Sequence, residues 1–130
     1  MVLALPPRHR LASRETIELA DLADDSWTAP SYDGLVARTC RAAGFQPRIA
    51  FLASDPLAIR ALIASGLAVT LTSRLLAGQL HGVHTAAIPG EPARRAIYAL
   101  LPDAGARPAD RTLLRELETA ATSAHKFRVR

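Results

Sequence analysis

Cysteine is almost missing. Cys40 is the only one in 130 residues, so no disulfide can close within the chain and no paired-thiolate metal site can be built. On the apolar side of an expected helix, Cys40 reads as a buried, small hydrophobe. Lysine is as scarce. Lys126 stands alone, and arginine supplies the rest of a basic excess, 16 Lys+Arg against 12 Asp+Glu, for a formal net charge of +4. The arginines are scattered (Arg8, Arg10, Arg38, Arg41, Arg94, Arg95, Arg128, Arg130). No helix carries a basic stripe beside base-reading side chains, so a solvated surface is expected rather than a DNA-reading face. No run approaches the ~18 apolar residues of a membrane-spanning helix. The opening "MVLALPPRHR" places its charges after a short apolar run, the reverse of a secretory signal. The expectation is a cytoplasmic chain with no membrane partner. There is no P-loop and no dinucleotide glycine fingerprint, and "IASGLA" lacks the glycine two residues before Ser65 that a nucleophile elbow needs. His81 and His84 lie near a strand start with no third ligand in sequence reach, so neither a metal nor any other cofactor is expected.

Half of the composition, 49%, is hydrophobic, enough for a single globular domain with a core. "VLALP" reads as a buried strand stopped by prolines. "RETIELADLAD" reads as a short helix with Thr16 as its cap, and the acids Asp21, Asp24 and Asp25 at its end as a solvated face. "SWTAP" is a strand and "SYDG" a turn. "LVARTCRAAG" is a helix closed by Gly44. "PRIAFLAS" is a strand. "DPLAIRALIAS" is a helix with Pro56 at its first position, capped by Asp55 or Ser54, and so apolar that burial on most sides is expected. Gly66 ends it, and "LAVTL" is the next strand. "SRLLAGQL" is a short helix, "GVHTAAI" a strand, and Arg94 to Pro102 the longest strand candidate. A helix with an apolar stripe of Leu113, Leu117, Ala120, Ala121 and Ala124 runs from Pro108 to about Ala124.

Alternating strands and helices argue an α/β fold with a largely parallel sheet. Ligands in such folds gather beyond the carboxyl ends of strands. Ser31, Tyr32, Ser54, Thr72 and Ser73 would then share one rim of small polar groups. Each could simply cap a helix, but helix starts also offer N–H groups to a ligand. Asp33 and Asp55 would compete with an anion there, which favours a polar or mixed-charge ligand.

The segments "VLALPPRHRLA", "IELADLADDSW", "CRAAGFQPRIAF", "LIASGLAVTLTSR" and "GVHTAAIPGEPARRAIYAL" together resemble the C-terminal part of the effector-binding domain of LysR-type transcriptional regulators, in order and spacing. The resemblance implies a type 2 periplasmic-binding-protein-like α/β lobe, with a mixed, mostly parallel sheet flanked by helices. Residues 13–88 would form the second lobe, 1–12 and 89–107 the crossover strands, 108–124 the closing helix and 125–130 a basic tail. The family's winged helix-turn-helix and most of its first lobe lie upstream of this region. Two positions depart from the family pattern: Ala68 stands for a glycine, and Ser73 for a proline. Carried over by position, the ligand-binding residues would be Ser31, Tyr32, Ser54, Asp55 and Thr72.

The expected function is a small-molecule effector-sensing module that performs no chemistry, reaching DNA only through a helix-turn-helix domain that this chain lacks. Two alternatives stand beside it. One is an interaction-only remnant that dimerises with related regulators, and the other a small α/β enzyme using the rim hydroxyls. A homodimer is expected, with Val2, Leu3, Leu5, Ile97, Tyr98, Leu100, Leu101 and the final helix presenting apolar surface to a second chain.

Overall fold

The structure is a computed structural model that describes residues 1–90, 98–101 and 107–126. The chain divides into two compact units, Met1–Arg95 and Ala96–Arg130.

In the first unit the strands are β1 (Val2–Leu5), β2 (Ser26–Ala29), β3 (Arg48–Leu52), β4 (Thr70–Thr72) and β5 (His84–Ala86). Strand β1 lies between β4 and β5, antiparallel to both, with Leu3 opposite Leu71 and Ala86. Strand β2 pairs in parallel with β3 through a bulge at Trp27/Thr28. A parallel bridge between Trp27 and Val69 joins the two sheets, with Thr28 N–H donating to the Val69 carbonyl at 3.0 Å and Val69 N–H to that of Ser26 at 2.8 Å. The lateral order is therefore β3-β2-β4-β1-β5, a mixed sheet whose β2, β3 and β4 run the same way.

Burial explains the place of β1. All four of its residues are buried, Leu3, Ala4 and Leu5 completely. An unbroken apolar strand is stable only when both faces are covered. Its centrality corrects the expectation that Val2, Leu3 and Leu5 offer surface to another chain. One face of the sheet packs Leu3, Leu5, Trp27, Ala29, Val69 and Leu71 against Val36 and Cys40. These last two belong to helix α1 (Leu35–Ala42). The Trp27 indole N–H donates to the Leu22 carbonyl at 3.2 Å. The other face packs Ala4 against Ile63 of helix α2 (Pro56–Ala64) and Leu80, which follows the short helix α3 (Arg74–Ala77).

Helix α2 differs from its reading as a deeply buried element. Only Ile63 is buried, and Leu57 is 71% exposed. Gly66, at φ 83°, ends the helix. Its N–H donates to Ile63 and that of Leu67 to Leu62, a double closure that needs a left-handed residue. This lets the chain leave a sheet-covering helix and enter a buried strand within a few residues.

The helix expected around Thr16 is a 3-10 turn at Leu19–Leu22. Thr16 instead bridges Ala87, and the backbone there serves the sheet edge. Two of the nearby acids, Asp21 and Asp25, are paired rather than merely solvated. His9 Nε2 lies 3.0 Å and Arg10 Nη2 2.8 Å from Asp25, and Arg14 Nη1 lies 3.1 Å from Asp21. They tie the link after β1 to the 3-10 turn.

In the second unit, helix α4 (Pro108–Lys126) carries Leu113 and Leu117, both exposed. Of the strand expected at Arg94 to Pro102, residues Tyr98–Leu101 are described and are not in a strand. Residues 91–97 and 102–106, including Ile97, lie outside the described residues, as do 127–130 of the basic tail.

Candidate ligand-binding rim

Strands β2, β3 and β4 end at the same edge of the sheet because they run parallel. Ala29 stands opposite Leu52, and the Ala53 N–H donates to the Ala29 carbonyl at 3.0 Å. Thr72 ends β4 opposite Val2. The segments after these strands, Pro30–Gly34, Ala53–Asp55 and Ser73, emerge together. Ser31, Tyr32, Ser54, Asp55 and Thr72 therefore share one edge although more than forty positions of sequence separate Ser31 from Thr72.

Their environments differ. Ser31 is half-buried in the turn before α1. A Cβ on Gly34 would meet Ser31 Oγ at 2.6 Å, so a glycine at 34 is what lets the serine hydroxyl sit over the helix start. Tyr32 is 64% exposed. Ser54 is exposed. Asp55 is committed to α2: its Oδ1 accepts the Leu57 and Ala58 N–H groups, both at 2.9 Å. That carboxylate already fills the anion-attracting end of the helix. Thr72 is buried at the strand end. Ser73 caps α3 by accepting the Leu76 N–H at 3.2 Å.

The imidazoles of His84 and His9 and the thiol of Cys40 are engaged or buried elsewhere. His84 begins β5 opposite Leu5, at the far end of the sheet, and its Nε2 lies 3.2 Å from the Arg14 carbonyl. His9 is held by Asp25. Cys40 is fully buried, and loss of hydration pushes its thiol pKa up to about 12.

Sequence reasoning missed a threonine pair behind the rim. Thr70 Oγ1 donates to the Thr28 carbonyl at 2.7 Å. Thr28 Oγ1 is completely buried and has no hydrogen-bond partner among the described residues. The only sequence signal was a hydroxyl inside two apolar strands. An apolar groove lies elsewhere, beside β3 and α2. It is open, about 710 Å³, and lined by residues that include Ala50, Leu52, Ala61 and Leu62.

The chain matches the LysR substrate binding domain family over residues 1–122. Over 77 residues it is 38% identical to the HTH-type transcriptional regulator ShiR of Corynebacterium glutamicum (strain R), covering 55% of this chain and 26% of that protein. Over 72 residues it is 36% identical to the transcriptional dual regulator GltC of Bacillus subtilis (strain 168), covering 52% and 24%. The chain thus spans about a quarter of the length of these relatives. Among solved structures, the C-terminal domain of a probable LysR family transcriptional regulator from Rhodococcus sp. RHA1 superposes with a TM-score of 0.57 at 28% identity, covering 71% of this chain and 49% of that one. The effector binding domain of QuiR, solved in complex with shikimate, superposes with a TM-score of 0.62 at 19% identity, covering 88% and 57%, a likeness of fold alone. With the five-strand order, the shared strand-end edge and a match over nearly the whole chain, this protein belongs to the LysR substrate binding domain family.

Proposed function

We propose that the chain is the effector-sensing lobe of a LysR-type transcriptional regulator and binds a small polar metabolite at the rim of Ser31, Tyr32, Ser54, Asp55 and Thr72. The observation that carries this reading is the common edge at which β2, β3 and β4 deliver these residues. The rim offers hydroxyls and backbone N–H groups. It offers no base beside a nucleophile, since His9, His84 and Cys40 are engaged or buried elsewhere. Binding without catalysis is what such a surface can do. Asp55 contributes its backbone and a fixed negative charge, so a hydroxylated ligand suits the rim better than a bare anion. The lobe works in the cytoplasm, and DNA contact belongs to a separate helix-turn-helix domain. Binding there shifts the population of lobe arrangements, which is how sensing reaches DNA.

The test is amide chemical-shift mapping on the full chain, titrated with a panel of small hydroxylated carboxylates that includes shikimate. Saturable shifts should centre on Ser31, Ser54 and Thr72, and Thr72→Val should weaken them. Saturable shifts confined to α4 or to the far end of the sheet around His84 would move the site off this edge.

A further inference from the structure

Exposed apolar side chains that gather in one place mark a binding surface. Among the described residues of the first unit, the large ones are Tyr32, Leu35, Leu52, Leu57, Leu67 and Leu75. Leu52 and Leu67 line the groove beside β3. The other four follow the strand ends that build the rim. Tyr32 lies in the turn after β2. Leu35 is the first residue of α1, and Leu57 and Leu75 are the second residues of α2 and α3. Leu57 is 71% and Leu75 59% exposed. Helices α1, α2 and α3 follow β2, β3 and β4 in turn, so all three start at the rim. Cα–Cβ bonds in a helix tilt toward its N-terminus. A leucine in the first turn therefore leans toward the rim. The hydroxyls of Ser31, Ser54 and Thr72 share their edge with a collar of apolar side chains.

We propose, on the reading that the rim is the ligand site, that it takes a ring compound, a hydroxylated aromatic or alicyclic molecule with at most one negative charge. Its apolar faces rest on Tyr32, Leu35, Leu57 and Leu75, and its oxygens meet Ser31, Ser54 and Thr72. An open-chain polyol has no apolar face to offer the collar. It gives up the hydration of oxygens that these side chains cannot pair. It also loses internal rotations on binding, whereas a ring is rigid beforehand. A ring covers the leucines with hydrocarbon and projects its hydroxyls from its edge. That matches ligand sites in which apolar walls hold the molecule and a few polar groups orient it. Tyr32 adds an aromatic face on which a ring can stack. The Asp55 carboxylate, fixed by the Leu57 and Ala58 N–H groups, repels added negative charge.

The experiment is an NMR titration of the full chain, in which amide shifts report the rim and methyl shifts the leucines. The probes are shikimate and a dihydroxybenzoate as rings, and gluconate as an open chain with the same kinds of polar group. The ring probes should bind about tenfold or more tighter than gluconate. Leu57→Ser and Leu75→Ser, at exposed positions that the fold does not depend on, should each weaken the ring probes about fivefold to tenfold and leave gluconate unchanged. Leu67→Ser, also exposed but at the opposite end of the sheet, should leave every probe unchanged. Ring protons should show nuclear Overhauser contacts to the methyls of Leu57 and Leu75. Gluconate bound at the rim as tightly as the rings would overturn the proposal and leave the rim a ligand site. So would ring affinity that neither leucine substitution moves, the result expected if the collar packs against protein instead. Ring contacts confined to Leu52 and Leu67 would place the ring in the groove beside β3 and overturn it too. No saturable rim shift with any probe would remove the rim reading itself, and the ligand class with it.

Discussion

Cys40 shows how burial controls the chemistry of a single residue. Its thiol is fully buried between α1 and the sheet, and desolvation pushes its pKa up from 9.0 to about 12. Because the thiolate is the nucleophile, a disulfide-exchange reagent near pH 8 should leave the folded chain unlabelled and label it once denaturant unfolds it. Stability should respond in the same sense. The folded state holds the proton more tightly than the unfolded one, so the contribution is present below pH 9 and is lost as pH rises toward 12. Thr28 is the opposite case, a buried hydroxyl with no partner among the described residues. An unsatisfied buried group costs about 1–3 kcal/mol. Thr28→Val keeps the shape and removes the hydroxyl, so it should raise the denaturation midpoint by the equivalent of about 1 kcal/mol. A destabilised variant would mean that the hydroxyl has a partner in solution. The apolar setting of Cys40 and the cap at Asp55 were legible in the sequence because both depend on neighbours a few positions away. The orphaned Thr28 was not, because its surroundings are set by β4, some forty residues downstream.

At the level of elements, local signals specified where helices stop and start, but not how deeply they lie. Pro56 and Asp55 begin α2 and Gly66 ends it, as short-range chemistry requires. Its nearly continuous apolar sequence nevertheless suggested burial on most sides, whereas only Ile63 is fully buried and Ile59 and Leu62 are half-buried. Composition records what a helix could bury, and the partner that buries it lies elsewhere. The central place of β1 was hidden for the same reason, since a four-residue apolar strand reads alike at the middle or at a crossover. Helix α4 begins with a reciprocal cap that can be tested. Asp110 accepts the Arg107 backbone N–H at 2.9 Å, and the Arg107 side chain reaches the same carboxylate. The Arg107 side chain first, then its backbone N–H, holds the Asp110 pKa below the ordinary carboxylate value. The cap therefore contributes above the unfolded pKa of the carboxyl and is lost as pH falls through the lower folded value. Helical circular dichroism should decline on acidification through that range, and Asp110→Asn should flatten the part of the decline that belongs to α4.

Across the whole chain, the basic excess raises the question of nucleic acid, and its distribution answers it. Several arginines are already engaged: Arg10 and Arg14 with Asp25 and Asp21, Arg60 with the His81 carbonyl, and Arg107 with Asp110. Of the others, Arg38 and Arg41 lie on α1, Arg48 begins β3 and Arg74 begins α3. Apart from the Arg38 and Arg41 pair on α1, they sit on separate elements. A reading helix needs several adjacent side chains that reach base edges, with phosphate contacts on either side to fix its register. Scattered guanidinium groups supply only counterion release, which attracts any duplex equally and weakens with a slope of about −0.9 per phosphate neutralised. Fluorescence anisotropy of the full chain should therefore show weak association with DNA, equal for a regulator operator and a scrambled duplex of the same length. It should have a shallow salt slope and vanish at moderately raised salt. Sequence-dependent protection that persists at high salt would place a DNA-reading surface on this lobe, and sensing and DNA contact would then share one domain instead of being divided between two.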